Sequence, residues 1–225
     1  MNKQVLAAIS LAGALTGTAA QAATYDATAE FQTLSNPGSV WSYGYSSSAG
    51  AGYALTLFDA AGASAWSMSN YSTLGTPAAF LNTGAPVNGV GTGQLALHPG
   101  PLANGDVAIL RFTAPTAGSY SVTGQFFAGD IGSMQGLLIL NDDATHPLQT
   151  FGNTTDASVF APLTLTLAAG AHLDFAVGNN GSFYYGSTPL SVQINSAPVP
   201  EPSSYALLLG GLGLMGWMAK RRRAS

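Results

Sequence analysis

The chain has 225 residues, of which 7% are charged, with 6 Lys and Arg against 10 Asp and Glu and no cysteine. Without cysteine there is no disulfide, thiolate nucleophile or cysteine–metal site. Five of the 6 basic residues, Lys3 and Lys220 to Arg223, stand near the two ends, so Arg111 is the one Lys or Arg between residues 23 and 197, facing nine acids for a net charge of about −8. That balance excludes a nucleic-acid binder, which needs a basic footprint, and argues against docking on anionic lipid headgroups. It suits a surface for cations or neutral glycans.

Residues 1–22 read as a secretory signal peptide. Lys3 supplies a small positive start, Val5–Leu15 is an apolar run of 11 residues, and Ala20-Gln21-Ala22 is a cleavage site of the A-x-A kind. A permanent anchor is the alternative, but the run is too short to span a hydrocarbon core of about 30 Å. The mature chain is therefore expected to begin at Ala23. Residues 23–196 form the exported domain, long enough for one sizeable core.

Within that domain no sustained helical period occurs, whereas apolar residues repeatedly alternate with polar ones. Tyr53–Phe58, Gln94–Leu97, Val107–Thr113, Ser119–Phe127, Gly136–Leu140, Leu163–Leu167, Leu173–Val177 and Leu190–Ile194 are the strand candidates. In Ser119–Phe127, Tyr120, Val122 and Phe126 share one face, and Ser119, Ser121, Thr123 and Gln125 the other. Asn36-Pro37-Gly38, Asn104-Gly105-Asp106, Ala168-Ala169-Gly170 and Gly178-Asn179-Asn180-Gly181 supply turn chemistry between them. Residues 60–90 are irregular and read as long loops or short edge strands. The expected fold is all-β, an antiparallel β-sandwich of jelly-roll style, with helix confined to the two terminal segments.

Arg111 falls inside a strand pattern, on the face opposite Leu110 and Phe112. It is either a solvent-facing or edge charge paired with an acid, or a guanidinium in a ligand cleft. Two aromatic clusters, Trp41-Tyr43-Tyr45 and Phe183-Tyr184-Tyr185, are candidate glycan platforms, since stacking on sugar faces needs exposed rings. The bland alternative is that these rings fill the core. Asp142 and Asp143 are adjacent, and neighbours on a strand or turn point apart, so they do not make the opposed carboxylates of a glycosidase. No G-x-S-x-G surrounds any serine. His98, His146 and His172 are candidates for a base or metal ligand, but they lack zinc-site spacing. Asp142, Asp143 and Asn179 are suitable in kind for a structural calcium ion. No other cofactor is expected.

The end of the chain has three parts. Pro198, Pro200 and Pro202 keep residues 197–204 extended as a linker. Ser203–Ala219 are 17 uncharged residues, roughly 25 Å as helix at about 1.5 Å each. Lys220, Arg221, Arg222 and Arg223 in the 220–225 tail then form a membrane stop signal. The expected transmembrane helix is 205–219. The whole tail resembles the PEP-CTERM sorting signal, with Pro200-Glu201-Pro202 as its motif. That resemblance implies recognition and cleavage by an exosortase, a transient anchor in the inner membrane, and delivery to the cell surface or medium. Trp41–Tyr45, Leu97–Gly100, Leu110–Pro115, Ala117–Tyr120 and Leu173–Gly178 look like a recurring ectodomain of such proteins, with the style of a carbohydrate-binding module. The resemblance brings no catalytic residues. It implies a non-enzymatic surface or matrix protein associated with exopolysaccharide and biofilm. A structural or adhesive module with protein partners is the alternative, and a secreted hydrolase using Asp the least favoured.

Overall fold

The computed structural model describes residues 22–71, 76–101, 107–198 and 202–223. The signal segment and its cleavage site up to Gln21, the turn at Asn104–Asp106, and Pro200 and Glu201 of the sorting motif lie outside the described residues.

Ala22–Pro198 form one unit. Its first half contains β1 (Ala23–Asp26), β2 (Trp41–Ser46), β3 (Thr56–Leu57), β4 (Ala60–Ala61), β5 (Ala65–Ser67), β6 (Ala78–Leu81) and β7 (Leu95–His98). Its second half contains β8 (Val107–Thr113), β9 (Gly118–Phe126), β10 (Gln135–Leu140), β11 (Gln149–Phe151), β12 (Ser158–Val159), β13 (Leu163–Leu167), β14 (His172–Gly178) and β15 (Thr188–Pro198). One sheet runs β12-β9-β15-β7-β6-β5-β4, with β1 also on β15 and β13 also on β9; the other runs β11-β10-β14-β8-β2-β3. The pairings in both sheets are antiparallel.

The alternation in β9 has the expected consequence. Tyr120, Val122 and Phe126 are buried, and Thr123 on the other face is exposed. Trp41, Tyr43, Leu95, Leu110, Phe112, Phe175 and Ile194 complete a core between the two sheets. The 60–90 region does yield short strands, β4 to β6, and also a 3-10 turn at Ser69–Tyr71, helix that the pattern did not predict.

The six-stranded sheet departs from simple alternation, because its outer face is covered as well. Tyr53, Val107, Ile109, Leu137, Ile139, Ala144 and Ala176 form a second, smaller core there. The segment around Tyr53 and the turn after β10 supply the cover. Burying side chains of this kind is worth roughly 1.5–3 kcal/mol each, so apolar contact holds the cover down more than any single polar link. The consequence is that β14 is buried along both faces from Leu173 to Gly178, including Asp174.

β15 runs on to Pro198, pairing Ala197 with Ser119 and Pro198 with Gly118. The extended stretch therefore belongs to the sheet for two residues of the expected linker 197–204. A separate unit holds the helix α1 (Pro202–Arg223). Pro202 at its first position is tolerated because that N–H has no helical partner anyway. The expected span 205–219 falls inside α1, but among the described residues no helix is long and apolar enough to cross a membrane. Gly210, Gly211, Gly213 and Gly216 dilute the apolar run, and the basic residues lie within the helix rather than after it.

Candidate functional site

Arg111 lies in β8 opposite Asp174 of β14 and Ser42 of β2. It is thus in the middle of a sheet rather than at an edge. Its Nε and one terminal nitrogen donate to the two oxygens of Asp174, each at 2.7 Å. It also donates to Asp142. Tyr53 donates its hydroxyl to Asp174 at 2.8 Å, and His172 Nε2 lies 3.0 Å from Asp142 Oδ2. Burial alone would pull the guanidinium pKa down, but the hydrogen bonds and charges of Asp174 and Asp142 outweigh it and hold it up. Burial also pushes the Asp174 carboxyl up, more than Arg111 and Tyr53 pull it down. The carboxylate therefore depends on the guanidinium to stay charged.

Local backbone chemistry aims Asp142 at this cluster. Asn141 and Asp142 have φ of 49° and 62°, and Asp143 N–H donates to Leu140 C=O at 3.1 Å. Two consecutive left-handed residues are the signature of a type I′ turn, which Asn and Asp tolerate. Asp143 turns to Thr145 and His146 instead. Asn179 donates to Gly100 C=O and accepts from Gly181 N–H. The three calcium candidates thus hold different partners, and among the described residues no three His, Cys, Asp or Glu side chains converge as a metal-binding group.

The two aromatic clusters separate. Trp41 and Tyr43 are 1% and 0% exposed, and Trp41 packs edge-on to Phe112 and donates its indole N–H to Glu30 at 3.1 Å. Tyr45 stacks on Phe58 at the rim of the core. None of these three offers the open loop ring that glycan stacking needs, because all three turn towards the core between the sheets. Tyr184 and Tyr185 behave oppositely, each 62% exposed. Residues 183–185 form a turn rather than a strand, so adjacent side chains do not alternate. Phe183 goes inward to pack 4.4 Å from Tyr184 and 6.4 Å from His98, centroid to centroid. Tyr185 sits at φ 57°.

Tyr185 borders a groove of about 490 Å³ over the outer face of β5 to β7, shared with Thr76, Phe80, Asn88, His98, Asp130 and Ser187. Antiparallel pairing of Ala78 with His98 brings Thr76, just before β6, beside the end of β7. Asp130 N–H donates to Ser187 C=O, and Gly132 N–H to Tyr185 C=O, each at 2.9 Å, which fastens the 127–134 loop to the tyrosine turn. Gly89, at φ 74°, touches the Gly129–Asp130 backbone so closely that a Cβ would lie 2.3 Å from Gly129 C. Ile131 and Val87 are exposed on these same two loops. Sequence reasoning found Tyr184 and Tyr185 through the Asn-Gly turn before them. It missed Thr76, Asn88 and Asp130, since three separate loops deliver them. His98 it had weighed only as a base or metal ligand.

The domain is a two-sheet antiparallel sandwich with a groove on the outer face of one sheet, followed by a terminal signal segment. Residues 198–223 match the PEP-CTERM protein-sorting motif. The chain therefore carries the signal of an exported, cell-surface-sorted protein, and the motif implies processing by an exosortase. No curated protein sequence matches the chain. Among solved structures it is similar to pika GITRL (15% identity, 41% of this chain and 75% of that one, TM-score 0.30). It is also similar to a family 35 carbohydrate binding module from Clostridium thermocellum (17% identity, 49% and 84% covered, TM-score 0.32). Another family 35 module, from an environmental isolate, shows 18% identity over 53% and 86%, with TM-score 0.31. Scores this low say nothing of a shared ligand.

Proposed function

We propose that this is a non-enzymatic exported protein of jelly-roll style that associates with extracellular polysaccharide through the Tyr184–Tyr185 turn. It travels by the signal peptide, is held briefly in the inner membrane by the 205–219 segment, and is released at the surface by an exosortase. The supporting observation is a turn with two exposed rings, one of them lining a groove of mixed polarity, on an exported domain with almost no free positive charge. Aromatic faces are sequence-tolerant stacking platforms for sugars, and the surrounding Asn, Ser, Thr and Asp groups suit hydroxyls.

Affinity electrophoresis of the full chain in gels containing single polysaccharides, the producer's own polymer included, tests the reading. Retardation that falls in Tyr184→Ala and Tyr185→Ala supports it. Unretarded migration in every polymer sinks it and favours the adhesive alternative. That alternative has a footing in exposed Val159 on the short strand β12. Concentration-dependent sedimentation would then reveal self-association.

A further inference from the structure

The groove beside Tyr185 contains a polar group with no partner. Thr76 is 8% exposed, and its Oγ1 is buried without a hydrogen bond among the described residues. Buried hydroxyls ordinarily find partners, and each exception asks for an explanation such as a ligand. His98 supplies a complementary group. Its Nδ1 lies 2.8 Å from Pro99 C=O, and a carbonyl only accepts, so Nδ1 bears the proton. On a neutral ring Nε2 is then an acceptor. Burial holds the ring pKa below its ordinary value, against the pull of Pro99 and Asp130, so the neutral form dominates at neutral pH. Asp130 adds a carboxylate, with Oδ1 anchored by Ile131 N–H at 2.8 Å. Among the described residues no Lys or Arg lines the groove, and Arg111 is engaged by Asp174 and Asp142 on the outer face of the other sheet.

From this placement we infer that the groove is a subsite for a single neutral pyranose unit. Tyr185 takes the C–H face of the ring, His98 Nε2 and the Asp130 carboxylate take its hydroxyls, and Thr76 joins them by a turn about χ1 that brings its covered Oγ1 to the groove wall. The inference rests on the glycan reading above and narrows it. It excludes uronic acids and other anionic sugars, whose carboxylate would face Asp130 with no cation to offset it.

Calorimetric titration of the full chain in detergent micelles tests this. The probes are cellotetraose, maltotetraose and mannotetraose as neutral ligands and tetragalacturonic acid as the anionic one. At least one neutral probe should bind. Thr76→Val should weaken it about tenfold and His98→Gln similarly. Thr76→Val should also leave the melting temperature unchanged or raise it, because it removes an unsatisfied hydroxyl, an outcome a merely structural threonine would not give. Binding of the acidic tetramer with equal affinity overturns the inference. So does neutral binding that both variants leave intact, or the absence of any oligosaccharide binding. If oligosaccharides fail while polymer retardation still depends on Tyr184 and Tyr185, only the subsite falls. If retardation is absent too, the glycan reading falls with it.

Discussion

Asp174 faces Arg111 directly across two neighbouring strands, and its 0% exposed carboxylate receives a two-pronged grip from that guanidinium. A buried pair of this kind gives little net stability over an apolar replacement, but breaking it leaves a buried charge uncompensated. Arg111→Met is expected to cost about 3–5 kcal/mol. Arg111→Met combined with Asp174→Leu should recover most of it, as read from urea midpoints. Asp142→Asn, which removes only the more exposed partner, should cost less than either single change in the pair.

His98 gives a pH signature. Its folded pKa is lowered by burial, below an unfolded value of about 6.5. The folded state therefore binds less proton than the unfolded one as pH drops. Its contribution is complete above that unfolded value and is lost as pH falls towards the folded one, with a slope of at most about 1.4 kcal/mol per pH unit. Subtracting the urea midpoints of His98→Gln from those of wild type, between neutrality and mildly acidic pH, isolates this slope. A flat difference would contradict the buried neutral ring.

The aromatic clusters should divide cleanly under truncation. Trp41→Ala removes a fully buried indole and is expected to destabilise by about 3–5 kcal/mol. Tyr184→Ala and Tyr185→Ala should leave the urea midpoint nearly unmoved. Equal loss of stability in all three would mean that the tyrosine turn is core.

Gly89→Ala should disturb the groove without touching its polar groups. Its positive φ and its contact with the Gly129–Asp130 backbone leave no room for a Cβ. The expected result is destabilisation of roughly 1–3 kcal/mol, with weaker polysaccharide retardation from a displaced Asp130 loop. Gly93→Ala, also at positive φ but in open space, serves as the control for backbone strain alone.

The strands that buried their apolar side against the other sheet were plain in the sequence, because a period of two states which face turns inward. β13 came out with the bounds its Leu-Thr alternation indicates. What alternation could not show was the second core outside the six-stranded sheet. Asp174 and Arg111 occupy positions that read as polar and outward, and only the cover from around Tyr53 and Ala144 makes them interior. Trp41 and Tyr43 face the other way, into the core between the sheets, and their spacing of two does not say which face of the strand turns inward. The groove was legible at Tyr184 and Tyr185 alone, where an Asn-Gly turn announces a loop. Its remaining groups come from segments dozens of residues apart, and pairing between β6 and β7 decides their meeting.

β15 begins one residue after the groove, at Thr188, and ends at Pro198, where the sorting segment takes over. Along that path it is bonded on one side to β9 from Leu190 onward, and on the other first to β7 and then to β1. A tug between a captured polymer and the tail would therefore load one strand lengthwise. Its hydrogen bonds, perpendicular to the strand, would have to shear together rather than open one at a time. Mechanical pulling through these two points should meet high resistance, whereas peeling from the β4 edge should not.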